Sequence, residues 1–130
     1  MNNKYILDSD ILIYFLKGEK EVIEKVLFLS KDELYITIIN YTELLYGIYN
    51  SNKITQNKEK ILPFLDKFKI LYFDKNSSKV FAKLKAKLKK QGEIIADMDL
   101  MIASIAISNK AILYTNNLKH FNRIEELEIL

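Results

Sequence analysis

Short apolar runs alternate with longer helical stretches along the whole chain, and this alternation constrains the fold more than any other feature. The apolar runs predict strands at residues 5–7, 34–37, 69–73, 111–114 and 127–129. Helical periodicity begins at Ile11 and stops at Gly18, returns as a short turn near Leu118, and otherwise predicts helices at 21–29, 39–50, 54–68, 77–90 and 97–108. Strands that alternate with helices usually pair in parallel, so we expect an α/β sandwich with a mainly parallel sheet.

Length and composition limit the size and the location of this fold. A chain of 130 residues with 49% hydrophobic residues can bury one core, so we expect a single domain over residues 1–130 and exclude disorder. No apolar stretch approaches the roughly 20 residues that a membrane helix needs. The opening Met1-Asn2-Asn3-Lys4 is unlike a signal peptide. We therefore expect a cytoplasmic protein that does not contact membranes.

The absence of cysteine and the presence of one histidine, His120, narrow the available chemistry. Without cysteine the chain has no disulfide, no thiolate nucleophile and no thiolate zinc site. A single histidine also excludes any site built on paired histidines. Catalysis must therefore use carboxylates, hydroxyls, amides and lysines.

Polar residues follow two of the predicted strands. The first strand ends in Asp8-Ser9-Asp10, and the fourth ends in Thr115-Asn116-Asn117. In parallel sheets, functional groups gather beyond the carboxyl ends of the strands, where the strand order reverses. If these two strands are neighbours, Asp8 and Asn117 face each other across a cleft.

Three acidic residues on predicted helices are further candidates. Glu43 lies in an otherwise apolar turn, where it either pairs with a lysine at a helix end or points to a site. Asp97 and Asp99 stand at the start of another helix, where an aspartate is a common cap. We expect Asp97 to be the cap and Asp99 to point, with Ile102 and Ala103, towards one face.

Asp8, Glu43 and Asp99 are therefore expected to converge, with Thr115 and Asn117 beside them. Three carboxylates this close cannot all stay ionised without a cation. Oxygen ligands without histidine or cysteine favour Mg²⁺ or Mn²⁺. Such a site is suited to activating water and neutralising a phosphodiester.

Four segments, in order, resemble the motifs of PIN-domain ribonucleases of the VapC toxin type, and the resemblance covers essentially the whole chain. They are ILDSDILIY at 6–14, TELLYG at 42–47, IADMDLMIAS at 95–104, and TNNLKHF at 115–121 with Arg123 and Ile124. The resemblance implies a three-layer α/β/α sandwich around a sheet of four to five mainly parallel strands. It also implies endonucleolytic cleavage of RNA by magnesium-activated water, which leaves 5′-phosphate and 3′-hydroxyl ends.

The same resemblance implies roles for particular residues and partners. Asp8, Glu43 and Asp99 would be the catalytic, metal-binding acids, and Thr115 would support the metal or the phosphate. The family's fourth acid falls at Asn117, which brings no charge and so calls a second metal into question. As toxins of type II toxin–antitoxin systems, such proteins form homodimers and hetero-oligomers with a VapB-type antitoxin.

A few basic residues near the site are candidates for RNA phosphate contacts: Lys17, Lys119 and Arg123. Asp97 is a further supporting candidate for metal or phosphate. The lysine-rich stretch at 75–90 is better interpreted as a solvated face, and His120 as the source of a structural hydrogen bond.

Two alternatives belong to other functional classes. Asp8-Ser9-Asp10 also resembles the first motif of haloacid-dehalogenase-type phosphatases, although that interpretation gives Glu43 no role. A non-catalytic PIN-like binding module is the other alternative, because Asn117 removes one acid. Trapping with a phosphate analogue tests the first alternative, and metal titration tests the second.

Overall fold

A computed structural model describes residues 3–29 and 33–130 of the chain, and Met1 and Asn2 of the opening segment lie outside them. Strands and helices alternate through these residues, as the sequence predicts. The strands are β1 Tyr5–Leu7, β2 Leu34–Thr37, β3 Lys69–Leu71, β4 Ile112–Tyr114 and β5 Glu128–Ile129. The helices are α1 Ser9–Leu16, α2 Lys20–Phe28, α3 Ile38–Tyr49, α4 Ile54–Leu65, α5 Lys75–Lys90, α6 Asp97–Ser108 and α7 Leu118–Phe121.

The five strands form one parallel sheet in the order β3-β2-β1-β4-β5. The strand β1 is central, and the strand order reverses between it and β4. Successive residues of β1 enter different apolar clusters, because side chains alternate between the two faces of a sheet. Ile6 packs with residues of α5 and α6, and Leu7 packs with residues of α1, α2 and α4. The predicted three-layer α/β/α fold is confirmed.

Several predicted element ends are shifted by one to three residues, and side-chain caps explain two of these shifts. The helix α1 begins at Ser9 rather than Ile11 because the Asp8 carboxylate accepts the backbone N–H of Ser9. The helix α5 begins at Lys75 rather than at residue 77 because Asp74 accepts the N–H of Ser77.

The prediction that Asp97 caps α6 is wrong. Ala96 occupies the cap position and supplies no side-chain hydrogen bond, and Asp97 is already the first helical residue. Its carboxylate instead forms an exposed ion pair with Lys85 of α5, at 2.9 Å. Lys85 of the neighbouring helix therefore binds the carboxylate that a cap would have used for the backbone N–H groups of α6.

Within residues 3–29 and 33–130, none of the helices combines the length and the apolar character needed to cross a lipid bilayer.

Candidate active site

A cavity of about 410 Å³ opens at the carboxyl edge of the sheet, where β1 and β4 lie side by side. All three predicted acids line this cavity, and so does Asp10, to which the sequence assigned no role. Parallel pairing of β1 and β4 also brings Asn117 to the cavity, as predicted. The lining residues are Asp8, Ser9, Asp10, Tyr14, Glu43, Asp99, Asn116 and Asn117.

Asp8 is the most deeply buried of the four acids, with 6% of its surface exposed. Its Oδ1 accepts hydrogen bonds from the backbone N–H of Ser9 at 2.8 Å and from Nδ2 of Asn40 at 3.1 Å. Its Oδ2 accepts the hydroxyl hydrogen of Thr115 at 2.7 Å. Burial raises the pKa of Asp8 from 3.8 to about 6, and the charges of Asp10 and Glu43 add to this, against the hydrogen bond from Thr115.

Glu43 reaches the cavity from α3. Its Oε1 accepts the hydroxyl hydrogen of Ser9 at 2.8 Å. Burial raises its pKa above the usual 4.5, and the charges of Asp99 and Asp10 act in the same direction. No ion pair between Glu43 and a lysine occurs among the described residues, so the helix-end ion pair that the sequence left open is not formed there.

Asn40 is a site residue that the sequence analysis missed. Its side chain is fully buried and donates from Nδ2 to Oδ1 of Asp8 and to Oγ of Ser9, at 3.1 and 3.0 Å. Its Oδ1 accepts from the backbone N–H and the hydroxyl of Thr37. Asn40 therefore links the two acids, because it donates to Asp8 directly and to Ser9, which in turn donates to Glu43. One feature of the sequence could have identified it: Asn40 lies three residues before Glu43, on the same face of an apolar helix.

The third acid, Asp99, lies in the first turn of α6. Its Oδ2 is 3.2 Å from Nδ1 of His120, and that nitrogen is 3.1 Å from Nδ2 of Asn117. The backbone N–H of Asn117 also donates to Oγ1 of Thr115, at 3.0 Å. Asp99 and the end of β4 therefore form one hydrogen-bonded wall of the cavity.

Asp10 forms another part of the cavity wall. Its Oδ2 accepts the backbone N–H of Asn116 at 3.1 Å. Burial raises its pKa above the usual 3.8, although hydrogen bonds from the backbone oppose this effect.

The structure leaves the other predicted site residues outside the cavity lining. Asp97 is held by Lys85, away from the other acids. Lys17, which follows α1, and Lys119 of α7 are exposed. Arg123 donates from Nη1 to the backbone carbonyl of Ile94, at 3.2 Å. These residues are therefore available at the surface and do not form the acidic site itself.

The donor set of the cavity fits a divalent cation. It presents four carboxylates, and no described lining residue is a lysine or an arginine that could neutralise them. Carboxylate oxygens are the ligands that Mg²⁺ and Mn²⁺ prefer. As placed, however, no three acidic or histidine side chains among the described residues are close enough to hold one ion. Oε1 of Glu43 and Oδ2 of Asp99 contact Ser9 and His120, which leaves Oε2 and Oδ1 of these carboxylates to hold a cation.

A family model described as "PIN domain" matches residues 5–127. The chain belongs to the PIN domain family, which confirms the resemblance drawn from the four motifs. It is similar to Ribonuclease VapC1 of Haemophilus influenzae (strain R2866), with 36% identity over 126 residues that cover 95% of this chain and 94% of that protein.

Two solved structures are similar over nearly their whole length. The crystal structure of VapBC2 from Rickettsia felis bound to a DNA fragment from their promoter matches with a TM-score of 0.90 and 34% identity, covering 97% of this chain and 96% of that one. The DNA-bound VapBC from Salmonella typhimurium matches with a TM-score of 0.91 and 28% identity, covering 98% and 97%. These matches favour the ribonuclease interpretation over the haloacid-dehalogenase alternative.

Proposed function

We propose that this protein is the toxin component of a type II toxin–antitoxin system, an endoribonuclease that hydrolyses RNA phosphodiester bonds. Its relatives carry the names ribonuclease VapC and VapBC. The single observation that carries the proposal is a cavity at the switch point of a PIN-domain sheet with four carboxylates in its lining. Carboxylates this close destabilise the fold when no cation neutralises them. Such clusters are characteristic of functional sites.

We further propose that Asp8, Glu43 and Asp99 are the catalytic acids and hold Mg²⁺, or Mn²⁺ in its place. A bound divalent cation supplies positive charge for the phosphodiester and lowers the pKa of a water molecule. Asp8 accepts three hydrogen bonds, so it presents its carboxylate in a fixed orientation. Thr115 and Asn117 support this arrangement from the segment that follows β4. The pair of Asp97 with Lys85 argues against a supporting role for Asp97.

The exposed basic residues Lys17, Lys119 and Arg123 are proposed to contact RNA phosphates outside the cavity. Placing the cations outside is consistent with the acidic lining, because a lysine inside the cavity would compete with the metal for the carboxylates. Phosphate contacts of this kind contribute affinity without sequence selectivity.

A VapB-type antitoxin is the expected partner, since both solved relatives are VapBC complexes. We also propose a homodimer and a cytoplasmic location, where RNA is accessible. The helix α3 offers one surface for partners, because Tyr46 and Tyr49 are exposed while Leu44 and Ile48 of the same helix are buried.

The test is RNA cleavage by the purified protein, freed of any antitoxin, compared with Asp99→Asn and Asp97→Asn variants prepared identically. We expect Asp99→Asn to abolish cleavage and Asp97→Asn to retain it. Sequencing of the cleaved ends should find 5′-phosphates. Equal cleavage by all three proteins would mark a contaminating nuclease and contradict the proposal. RNA binding without cleavage would favour the non-catalytic PIN-like module.

A further inference from the structure

His120 is the only histidine of the chain, and it contacts two residues of the cavity. Its Nδ1 lies 3.2 Å from Oδ2 of Asp99 and 3.1 Å from Nδ2 of Asn117. His120 itself is not among the residues that line the cavity, so it meets the cavity only through Asp99 and Asn117. His120 can therefore influence the cavity through the orientation of Asp99 and Asn117.

The two contacts of Nδ1 place opposite demands on the ring. An ionised carboxylate oxygen can only accept, so a hydrogen bond to Asp99 requires a hydrogen on Nδ1. A hydrogen bond donated by the amide nitrogen of Asn117 requires a bare lone pair on the same atom. Since one nitrogen cannot meet both demands, one of the two contacts sets the hydrogen position.

The charge of the cavity decides between them. Asp99 shares the cavity with three other carboxylates, and the described residues offer its side chain no hydrogen-bond donor besides His120. With a bare Nδ1, two lone pairs would face each other at 3.2 Å. Asn117 has an alternative, because turning its amide by 180° exchanges nitrogen for oxygen with almost no change of shape. Its oxygen can then share the hydrogen of Nδ1.

We propose that His120 is a positioning residue, which donates its Nδ1 hydrogen to Asp99 and holds that carboxylate at the cavity. The hydrogen is present both in the neutral Nδ1 tautomer and in the imidazolium ring, so the role does not depend on the charge of the ring. The tautomer follows from these contacts and the charge of the cavity, and does not depend on the proposed function. The consequence for catalysis rests on the proposed function.

The first test reads the tautomer directly in the metal-free protein. Because the chain has one histidine, a long-range ¹H–¹⁵N correlation spectrum contains a single imidazole pattern. In EDTA at pH 8 we expect hydrogen on Nδ1 and a bare Nε2, and we expect Asp99→Asn to change this pattern. An Nε2–H tautomer in the wild type would overturn the proposal. This measurement requires no RNA cleavage.

The second test compares two neutral substitutions that place an amide nitrogen differently. The amide nitrogen of asparagine is as many bonds from Cβ as Nδ1, and that of glutamine is as many bonds from Cβ as Nε2. We expect His120→Asn to keep kcat/KM for RNA within about 3-fold of wild type, and His120→Gln to lose about 10-fold or more, as for other residues that orient a ligand.

Thermal unfolding midpoints of the two variants should agree, which excludes a difference in folding. Equal activities of the two variants, or a more active His120→Gln, would overturn the positioning role. If the wild type does not cleave RNA at all, the proposed function fails, and the tautomer spectrum still decides the role of His120.

Discussion

Replacing Asp8 by asparagine should make the metal-free protein more stable at neutral pH. In the folded protein the pKa of Asp8 is raised from 3.8 to about 6. An acid with a raised pKa destabilises the folded state increasingly as pH rises from the unfolded pKa to the folded one, and by a constant amount above it. At 1.36 kcal/mol per pH unit, the ionisation of Asp8 costs about 3 kcal/mol above pH 6.

The asparagine removes this cost but also removes an acceptor. Its oxygen can still accept from Ser9 and Asn40, while its NH₂ group cannot accept the Thr115 hydroxyl, a loss of about 1 kcal/mol. We therefore expect Asp8→Asn to be about 2 kcal/mol more stable than wild type at pH 8 and about 0.5 kcal/mol less stable at pH 4, where about 0.5 kcal/mol of the ionisation cost remains.

The assay is urea unfolding in EDTA, followed by circular dichroism from pH 4 to 8 at one protein concentration. Asp74→Asn is the matched control, because hydrogen bonds from Ser77 lower the pKa of Asp74. Asp74 therefore stays ionised between pH 5 and 8, so Asp74→Asn should be less stable than wild type by a nearly constant amount over that range. A difference between Asp8→Asn and wild type that is the same at every pH would refute the reasoning.

Three further predictions concern other residues of the cavity and the basic residues outside it. Glu43→Gln should abolish RNA cleavage without loss of the fold, because it removes one carboxylate from a crowded site, as measured by cleavage rate and thermal unfolding. Asn117→Asp should tighten the binding of a second metal ion in a calorimetric titration, and Asn117→Ala should lower the cleavage rate less than Glu43→Gln does. If neither variant differed from wild type in metal binding or in cleavage rate, Asn117 would not be at the metal site. The double variant Lys119→Gln/Arg123→Gln should weaken RNA binding and flatten its salt dependence while cleavage of saturating RNA persists; an unchanged salt dependence would contradict the proposed contacts.

The sequence predicted the sheet and its site edge because those features depend on local patterns. Apolar runs that end in Asp8 and in Thr115 mark two strand ends, and parallel pairing requires such ends to share an edge. The bounds of β2 and α6 were predicted to the residue. What failed depended on contacts between distant elements: Asp97 was assigned to a cap because Lys85, twelve residues earlier, could not be placed beside it.

The same limit explains what was not predicted about the supporting residues of the site. Asn40, which acts on Asp8 from 32 residues away, was missed, and His120 was predicted to form a structural hydrogen bond but without its partner Asp99, 21 residues earlier. Asp10 had no predicted role because its position at the cavity depends on the loop after β4. In each case the residue type was visible in the sequence, and only the fold supplied its partner.

The measurement that most directly tests the metal-dependent acidic site is RNA cleavage by wild type and Asp8→Asn as Mg²⁺ is returned after EDTA treatment. We predict that EDTA abolishes cleavage by wild type, that Mg²⁺ or Mn²⁺ restores it with saturation, and that Asp8→Asn stays inactive at every metal concentration. Full activity of wild type in EDTA, or metal-restored cleavage by Asp8→Asn, would contradict the account.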